Sequence, residues 1–99
     1  MTIKLINRGT EGELLLDGRL DAVTAPEAEE IFLQMAGRFD KLTLNMGQLQ
    51  YISSAGLRVL KKTYMATVRK NGELELSHVN KMVMEVLEMT GFSGLLKIV

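Results

Sequence analysis

The stretch KLTLNMGQLQYISSAGLRVLKK, residues 41–62, changes its period part way along. In KLTLNMG (41–47), Leu42, Leu44 and Met46 alternate with polar residues, the period-two pattern of a strand with one buried side. After QLQYI the spacing lengthens: Leu57, Leu60, Tyr64 and Val68 recur at three- and four-residue intervals, so a helix follows the strand with these four as its inward stripe. Two serines stand at the junction. As N-cap, Ser53 would accept a hydrogen bond from an N–H one turn in, and Ser54 would be the first helical residue. The spacing admits two readings of the pair. One is capping and nothing more. In the other, the Ser54 hydroxyl receives a phosphoryl group beside the free N–H groups of Ala55, Gly56 and Leu57, where a dianion is stabilised without rearranging the backbone. Small residues at 55 and 56 would leave room for a bulky partner.

Outward from this junction the chain alternates strands and helices. On the C-terminal side, Asn71–Gly72 stops the helix and ELELS (73–77) is a strand. VNKMVMEVLEMTG (79–91) is a helix with Asn80 as cap and Gly91 as stop, and LLKIV (95–99) reads as a last strand. On the N-terminal side, IKLIN (3–7) and ELLLDGRL (13–20) are strands joined by RGTEG, whose two glycines suit a hairpin turn. In DAVTAPEAEEIFLQMAGRF, Thr24 is positioned as N-cap, Pro26 in the first turn, and Glu27 completes a capping box. Ala28, Ile31, Phe32, Met35 and Phe39 then share one helical face, with Gly37 weakening the last turn. The order β-β-α-β-α-β-α-β predicts one α/β domain over residues 1–99, with a mixed, mostly parallel sheet and an antiparallel edge from the opening hairpin.

Composition narrows the function. Of 99 residues, 46% are hydrophobic and 24% charged, a globular balance. Twelve basic residues against twelve acidic ones leave no overall field to attract nucleic acid or an anionic membrane. Cysteine is absent, which removes disulfides and thiolate chemistry and fits a reducing compartment. No leader-like segment opens the chain and no apolar run approaches the ~20 residues of a membrane span, so a cytoplasmic location is expected.

The chemistry available for catalysis is thin. A serine hydrolase elbow has glycine two residues before the nucleophile, where Ser54 has Ile52. His78 is the single histidine, so a Ser54–His78–Asp21 constellation is the one triad that can be written. One His and no Cys make a metal site unexpected, and no phosphate-cradling G-x-x-x-x-G-K-[ST] loop occurs. The expectation is a protein without catalysis or cofactor. The seven methionines, Met82, Met84 and Met89 among them, are expected to fill gaps in the core. The basic side of the second helix (Arg58, Lys61, Lys62, Arg69, Lys70) is expected to be a solvated face, and Glu27, Glu29 and Glu30 suit the positive end of the first helix. Asp21, after one strand and before a helix, falls at the same end of a parallel sheet as Ser54, the end where ligands collect in open α/β sheets.

LDGRLDAVTAPE, LTLNMGQLQYISSAGLRVL and GELELSHVNKMVMEVLEMTGF, in this order and spacing, closely resemble the STAS domain of bacterial anti-sigma factor antagonists over nearly the whole chain. The resemblance implies helices largely on one side of a mixed sheet. It also implies a switch: a partner serine kinase with a histidine-kinase-like ATPase fold, itself the anti-sigma factor, phosphorylates a junction serine. The unphosphorylated protein binds that kinase and frees a sigma factor, and a PP2C-type phosphatase resets the switch. By position the phosphorylated serine is Ser54, and the family's preceding aspartate falls on Ser53, a departure that removes a negative charge beside the acceptor. The family's following Ser/Thr falls on Ala55, its Gly-Leu on Gly56 and Leu57, and its acidic residue after the second strand on Asp21. The implied docking surface comprises Asp21, Thr24, Ser53, Ala55, Gly56, Leu57 and Arg58 around Ser54. The alternative is a STAS subunit of an ABC-type membrane-transport complex that acts without phosphorylation.

Overall fold

The computed structural model describes residues 1–99. In chain order the elements are β1 (Thr2–Arg8), β2 (Glu11–Leu20), α1 (Ala25–Arg38), β3 (Lys41–Ile52), α2 (Ser54–Arg69), β4 (Glu73–Ser77), α3 (Lys81–Met89), α4 (Phe92–Leu95) and β5 (Lys97–Ile98). The hairpin forms at RGTEG as expected. Arg8 pairs with Glu11, Gly9 takes φ 80°, and its N–H donates to Asn7 Oδ1 at 2.9 Å. β1 is antiparallel to β2, and β2, β3, β4 and β5 are parallel in sequence order.

That order decides where the helices go. Each crossover steps to the next strand in the same direction, and right-handed crossovers taken repeatedly in one direction stack their helices on one face. The core lies between that face and the helices: Leu14, Leu16, Leu42, Leu44, Met46, Leu74 and Leu76 from the strands meet Ala28, Phe32, Ala36, Leu60, Val83 and Leu87. The other face is polar. There Glu13, Thr43, Glu75 and Lys97 lie side by side across four strands. Glu75, 9% exposed, receives the Thr43 hydroxyl at 3.2 Å and lies 3.4 Å from Lys41 Nζ and 3.6 Å from Lys97 Nζ. Paired in this way, a nearly buried carboxylate does not lack partners.

Several expectations change. The 41–47 strand continues to Ile52, and its burial spacing lengthens from 42, 44, 46 to 49 and 52 because two register irregularities each give β3 an extra residue against β2. Val68 is 50% exposed and Tyr64 half-buried; the inward stripe of α2 is Gly56, Leu57, Val59, Leu60, Thr63 and Thr67. The threonines can turn inward because the helix itself satisfies their hydroxyls: Thr63 donates to the Val59 carbonyl at 2.8 Å and Thr67 to that of Tyr64 at 2.7 Å. The methionines divide, with Met1 and Met35 packed against the core as expected. Met46 is fully buried, while Met82 and Met89 are 53% and 86% exposed. The predicted strand 95–99 shrinks to Lys97–Ile98, since Gly91 at φ 81° ends α3 and begins the unexpected single turn α4. α2 ends as expected at Asn71–Gly72: Asn71 takes φ 60°, its N–H donates to Val68, and that of Gly72 to Thr67.

Candidate functional site

The site is assembled where β2 and β3 end together. Leu20 pairs with Ile52, and the Ser53 N–H donates to the Leu20 carbonyl at 2.9 Å. The chain leaving β2 enters the Asp21 loop and the chain leaving β3 enters α2, so Asp21 and the serine pair emerge side by side. Their proximity follows from one parallel register.

The loop is held by Asp21 rather than by a capping box. Thr24 is helical in backbone conformation (φ −90°, ψ −17°) and its side chain caps nothing in α1, because it is engaged behind itself. It donates to the Arg19 carbonyl at 2.8 Å and accepts from the Asp21 N–H at 3.0 Å. Asp21 Oδ1 in turn accepts from the N–H groups of Val23 (3.0 Å) and Thr24 (3.2 Å). The Thr24 N–H is the main reason that the Asp21 carboxyl titrates below its ordinary range; burial opposes this, and the Val23 N–H, the Thr24 hydroxyl and Arg19 assist it. Arg19 Nε lies 3.7 Å from Asp21 Oδ2, and the guanidinium sits 4.4 Å from the centre of the Tyr51 ring, its neighbour across the strand pair.

At the other half of the site, Ser53 is the N-cap of α2. Its backbone is extended and its Oγ accepts from the Gly56 N–H at 3.4 Å, while its carbonyl accepts from the Leu57 N–H at 2.9 Å. Gly56 and Leu57 therefore have no free N–H for a phosphoryl group, which corrects the expectation. Ser54 and Ala55, the first two helical residues, precede the intrahelical ladder and carry the orphan N–H groups of this end. Ser54 is exposed and its hydroxyl enters none of the protein's own side-chain hydrogen bonds. Nor does Gly56 leave room for a partner. A Cβ on it would lie 2.8 Å from Ile52 Cγ1, 2.8 Å from Leu20 Cγ and 2.9 Å from the Leu20 carbonyl oxygen. Only glycine lets the first turn of α2 seat directly on the ends of β2 and β3.

The residues singled out thus divide. Ser54 and Arg58 are exposed, and Asp21, Thr24, Ser53 and Ala55 are half-buried. Gly56 and Leu57 face inward and act by placing the others. His78, at φ 55° after β4, packs beside Gly47, five residues or about 16 Å back along β3 from Ile52, so no triad with Ser54 and Asp21 assembles.

Around Ala55 and Arg58, both already in the expected docking surface, the structure adds residues that the sequence did not point to. A groove of about 460 Å³ runs from this end between α1 and α2, lined by Ala22, Ala25, Pro26 and Glu29 on one side and Ala55, Arg58, Val59 and Lys62 on the other. Lys62 Nζ bridges it to Glu29 Oε1 at 2.9 Å. Arg19 and Tyr51 do not line this groove; they meet beside the Asp21 loop through strand register, which no local motif announces. With all helices on one side, the sheet order never reverses and opens no crevice between strands. The site is an outward-facing surface with one groove.

Residues 5–99 match the family model described as the STAS domain. A Bordetella bronchiseptica protein, BtrV, named as an anti-sigma factor antagonist, is 37% identical over 78% of this chain and 74% of its own length. A solved Thermotoga maritima structure, described as that of an anti-sigma factor antagonist, superposes with TM-score 0.90 at 18% identity, over 97% of this chain and 84% of that one. The Bacillus cell fate determinant SpoIIAA in its phosphorylated form superposes with TM-score 0.77 at 14% identity, over 99% of this chain and 91% of that one. The relation in sequence and the shared fold lead to one conclusion: the chain belongs to the STAS domain family, among the bacterial anti-sigma factor antagonists.

Proposed function

We propose that this protein is a phosphorylation-switched binding module with Ser54 as the phosphate acceptor. The observation that carries this reading is the division of labour at the junction. Ser53 does the capping, which leaves the Ser54 hydroxyl exposed and unengaged at the positive end of a 16-residue helix. A serine needed only for the cap would not have to be followed by a second one.

In the unphosphorylated form, Ser54, the first turn of α2 and the Asp21 loop dock on an anti-sigma serine kinase with a histidine-kinase-like ATPase fold, and a sigma factor is released. Phosphorylation adds about −2 charge beside the Asp21 carboxylate, which its hydrogen bonds keep ionised. The contact is then opposed by repulsion and by the cost of burying the dianion. A PP2C-type phosphatase restores the binding form. The protein itself performs no chemistry in this scheme, and no helix is long and apolar enough to cross a membrane.

The test is phosphate mapping after incubation with ATP and the cognate kinase. One phosphate on Ser54, abolished in Ser54→Ala, is the expected result. Full modification of Ser54→Ala, or a phosphate mapped to Ser53, overturns the assignment. The purified protein alone should turn over neither ATP, GTP nor esters above a Ser54→Ala control.

A further inference from the structure

The outward side of α2 is charged in one sense. The helix carries Arg58, Lys61, Lys62 and Arg69 and no acidic residue, within a chain whose net charge is zero. Elsewhere cations are mostly engaged: Arg8, Arg19, Lys41 and Lys97 lie in ion pairs, and Lys70 Nζ donates to the Gly37 and Phe39 carbonyls at the end of α1. On α2 only Lys62 is paired, to Glu29. Arg58, Lys61 and Arg69 are exposed and have no carboxylate partner.

These three do not surround a purely polar surface. A second groove, about 310 Å³, continues the one described above along the α1–α2 pair, and Lys62 lines both. Its walls include Leu33, Met65 and Ala66, with Lys61 and Arg69 at the margin. Met65 is 41% exposed, and next to it Val68, a β-branched apolar residue, is 50% exposed. Residues 58, 61, 65, 68 and 69 lie at helical spacing over twelve residues, about 16 Å of helix, with Met65 between Lys61 and the two arginines and Val68 at the edge of the stripe beyond Lys61.

We infer that this stripe receives an acidic amphipathic helix of the anti-sigma partner, docked along α2 from the Ser54 end towards Arg69. The inference rests on the proposed function for the partner's identity. What selects the occupant is complementarity: a helix about three turns long, with carboxylates beside an apolar ridge, fits the groove and meets all three free cations. A nucleic acid would make little use of Met65 and Val68, and the stripe offers no exposed aromatic ring for base stacking.

The stripe also joins the switch. Arg58 is one helical turn beyond Ser54, and its side chain leans back towards the N-terminus. An anion at the first position and a cation at the fourth after it attract in this orientation. A phosphate on Ser54 therefore competes with the partner's carboxylates for the near end of the stripe.

The experiment is a titration of the purified kinase that phosphorylates Ser54 with wild type, with Lys61→Glu/Arg69→Glu and with Met65→Gln, at low and high salt. Thermal melts check that these exposed changes leave the fold intact. Wild-type affinity should fall with salt. The double variant should bind at least tenfold more weakly at low salt and lose most of the salt dependence, and Met65→Gln should weaken binding severalfold at both salts. A change below twofold in the double variant, or wild-type affinity independent of salt, overturns the inference. So does a double variant that keeps its kinase affinity while losing binding to duplex DNA, to vesicles containing anionic lipid or to a second copy of the chain. Ser54→Asp separates the two levels. If it abolishes kinase binding while the double variant binds normally, only the stripe is wrong. If it binds as wild type while the double variant fails, the switch is wrong and the stripe stands. If wild type does not bind the kinase, both fall.

Discussion

Glycine-to-alanine substitutions at Gly37 and Gly56 are the same chemical change, each within a helix, and the structure predicts opposite signs. At Gly37, in the last turn of α1, an added Cβ meets nothing within 4 Å. The backbone there is ordinary helix, so alanine should stabilise by about 0.4–1 kcal/mol through a less flexible unfolded chain and better helix propensity. At Gly56 the same propensity gain, up to about 1 kcal/mol, is opposed by three contacts of 2.8–2.9 Å. One of these is with the Leu20 carbonyl oxygen, which already accepts from the Ser53 N–H at 2.9 Å and cannot retreat without loosening the β2–β3 end. Overpacking against such a fixed atom belongs at the upper end of the usual range, about 3 kcal/mol, for a net loss of about 2. At about 4–8 °C per kcal/mol for a domain of this size, Gly56→Ala should melt roughly 8–16 °C below wild type and Gly37→Ala a few degrees above it. Circular dichroism melts with urea titrations at 25 °C read both. A Gly56→Ala protein as stable as wild type would refute the claim that close seating of α2 on β2 and β3 builds the site. Kinase phosphorylation of Ser54 in Gly56→Ala should also slow, because α2 must move away from the Asp21 loop.

Other changes separate structural from switching roles. Ser53→Ala should lose about 0.5–2 kcal/mol of stability in urea titrations with little change in partner affinity, whereas Ser54→Asp should leave stability level or raised by about 0.3–1 kcal/mol while kinase affinity falls at least tenfold. Glu13 titrates below its ordinary range, first because Asn45 Nδ2 donates to it at 2.9 Å and then because Arg8 does so at 2.7 Å. With the folded pKa below the unfolded one, Glu13 contributes stability that is present above the usual carboxylate range of about 4 and is lost as pH falls through the folded value. Urea titrations between about pH 2 and 6 should therefore show a shallower acid loss in Glu13→Gln than in wild type.

Local rules made the elements legible. The two periodicities, the Asn80 cap (its Oδ1 accepts from the Val83 N–H at 2.9 Å), the Asn71–Gly72 stop and the hairpin glycines each act within a few residues, so the linear chain displays them directly. The strand order could be anticipated for the same reason, because short crossovers bring consecutive strands together. Competition between local and distant partners was not legible. Thr24 and Glu27 fit a capping box by spacing, but the Thr24 hydroxyl bonds instead to the Arg19 carbonyl and the Asp21 N–H, in a turn that Asp21 organises. Val68 and Thr67 are adjacent, and hydropathy favours burying valine; α2 buries the threonine, whose hydroxyl the helix satisfies, and leaves Val68 to solvent. Gly56 looked like space for a partner until Leu20, thirty-six positions away, proved to fill it. The sequence alone laid out the strands and helices around the serine pair and, through the family resemblance, offered Ser54 as the candidate acceptor. Tertiary structure decided which neighbours share that surface, because the Leu20–Ile52 pairing, the Arg19–Tyr51 contact and the groove between α1 and α2 depend on parallel register and helix seating, which exist only once the chain has closed on itself.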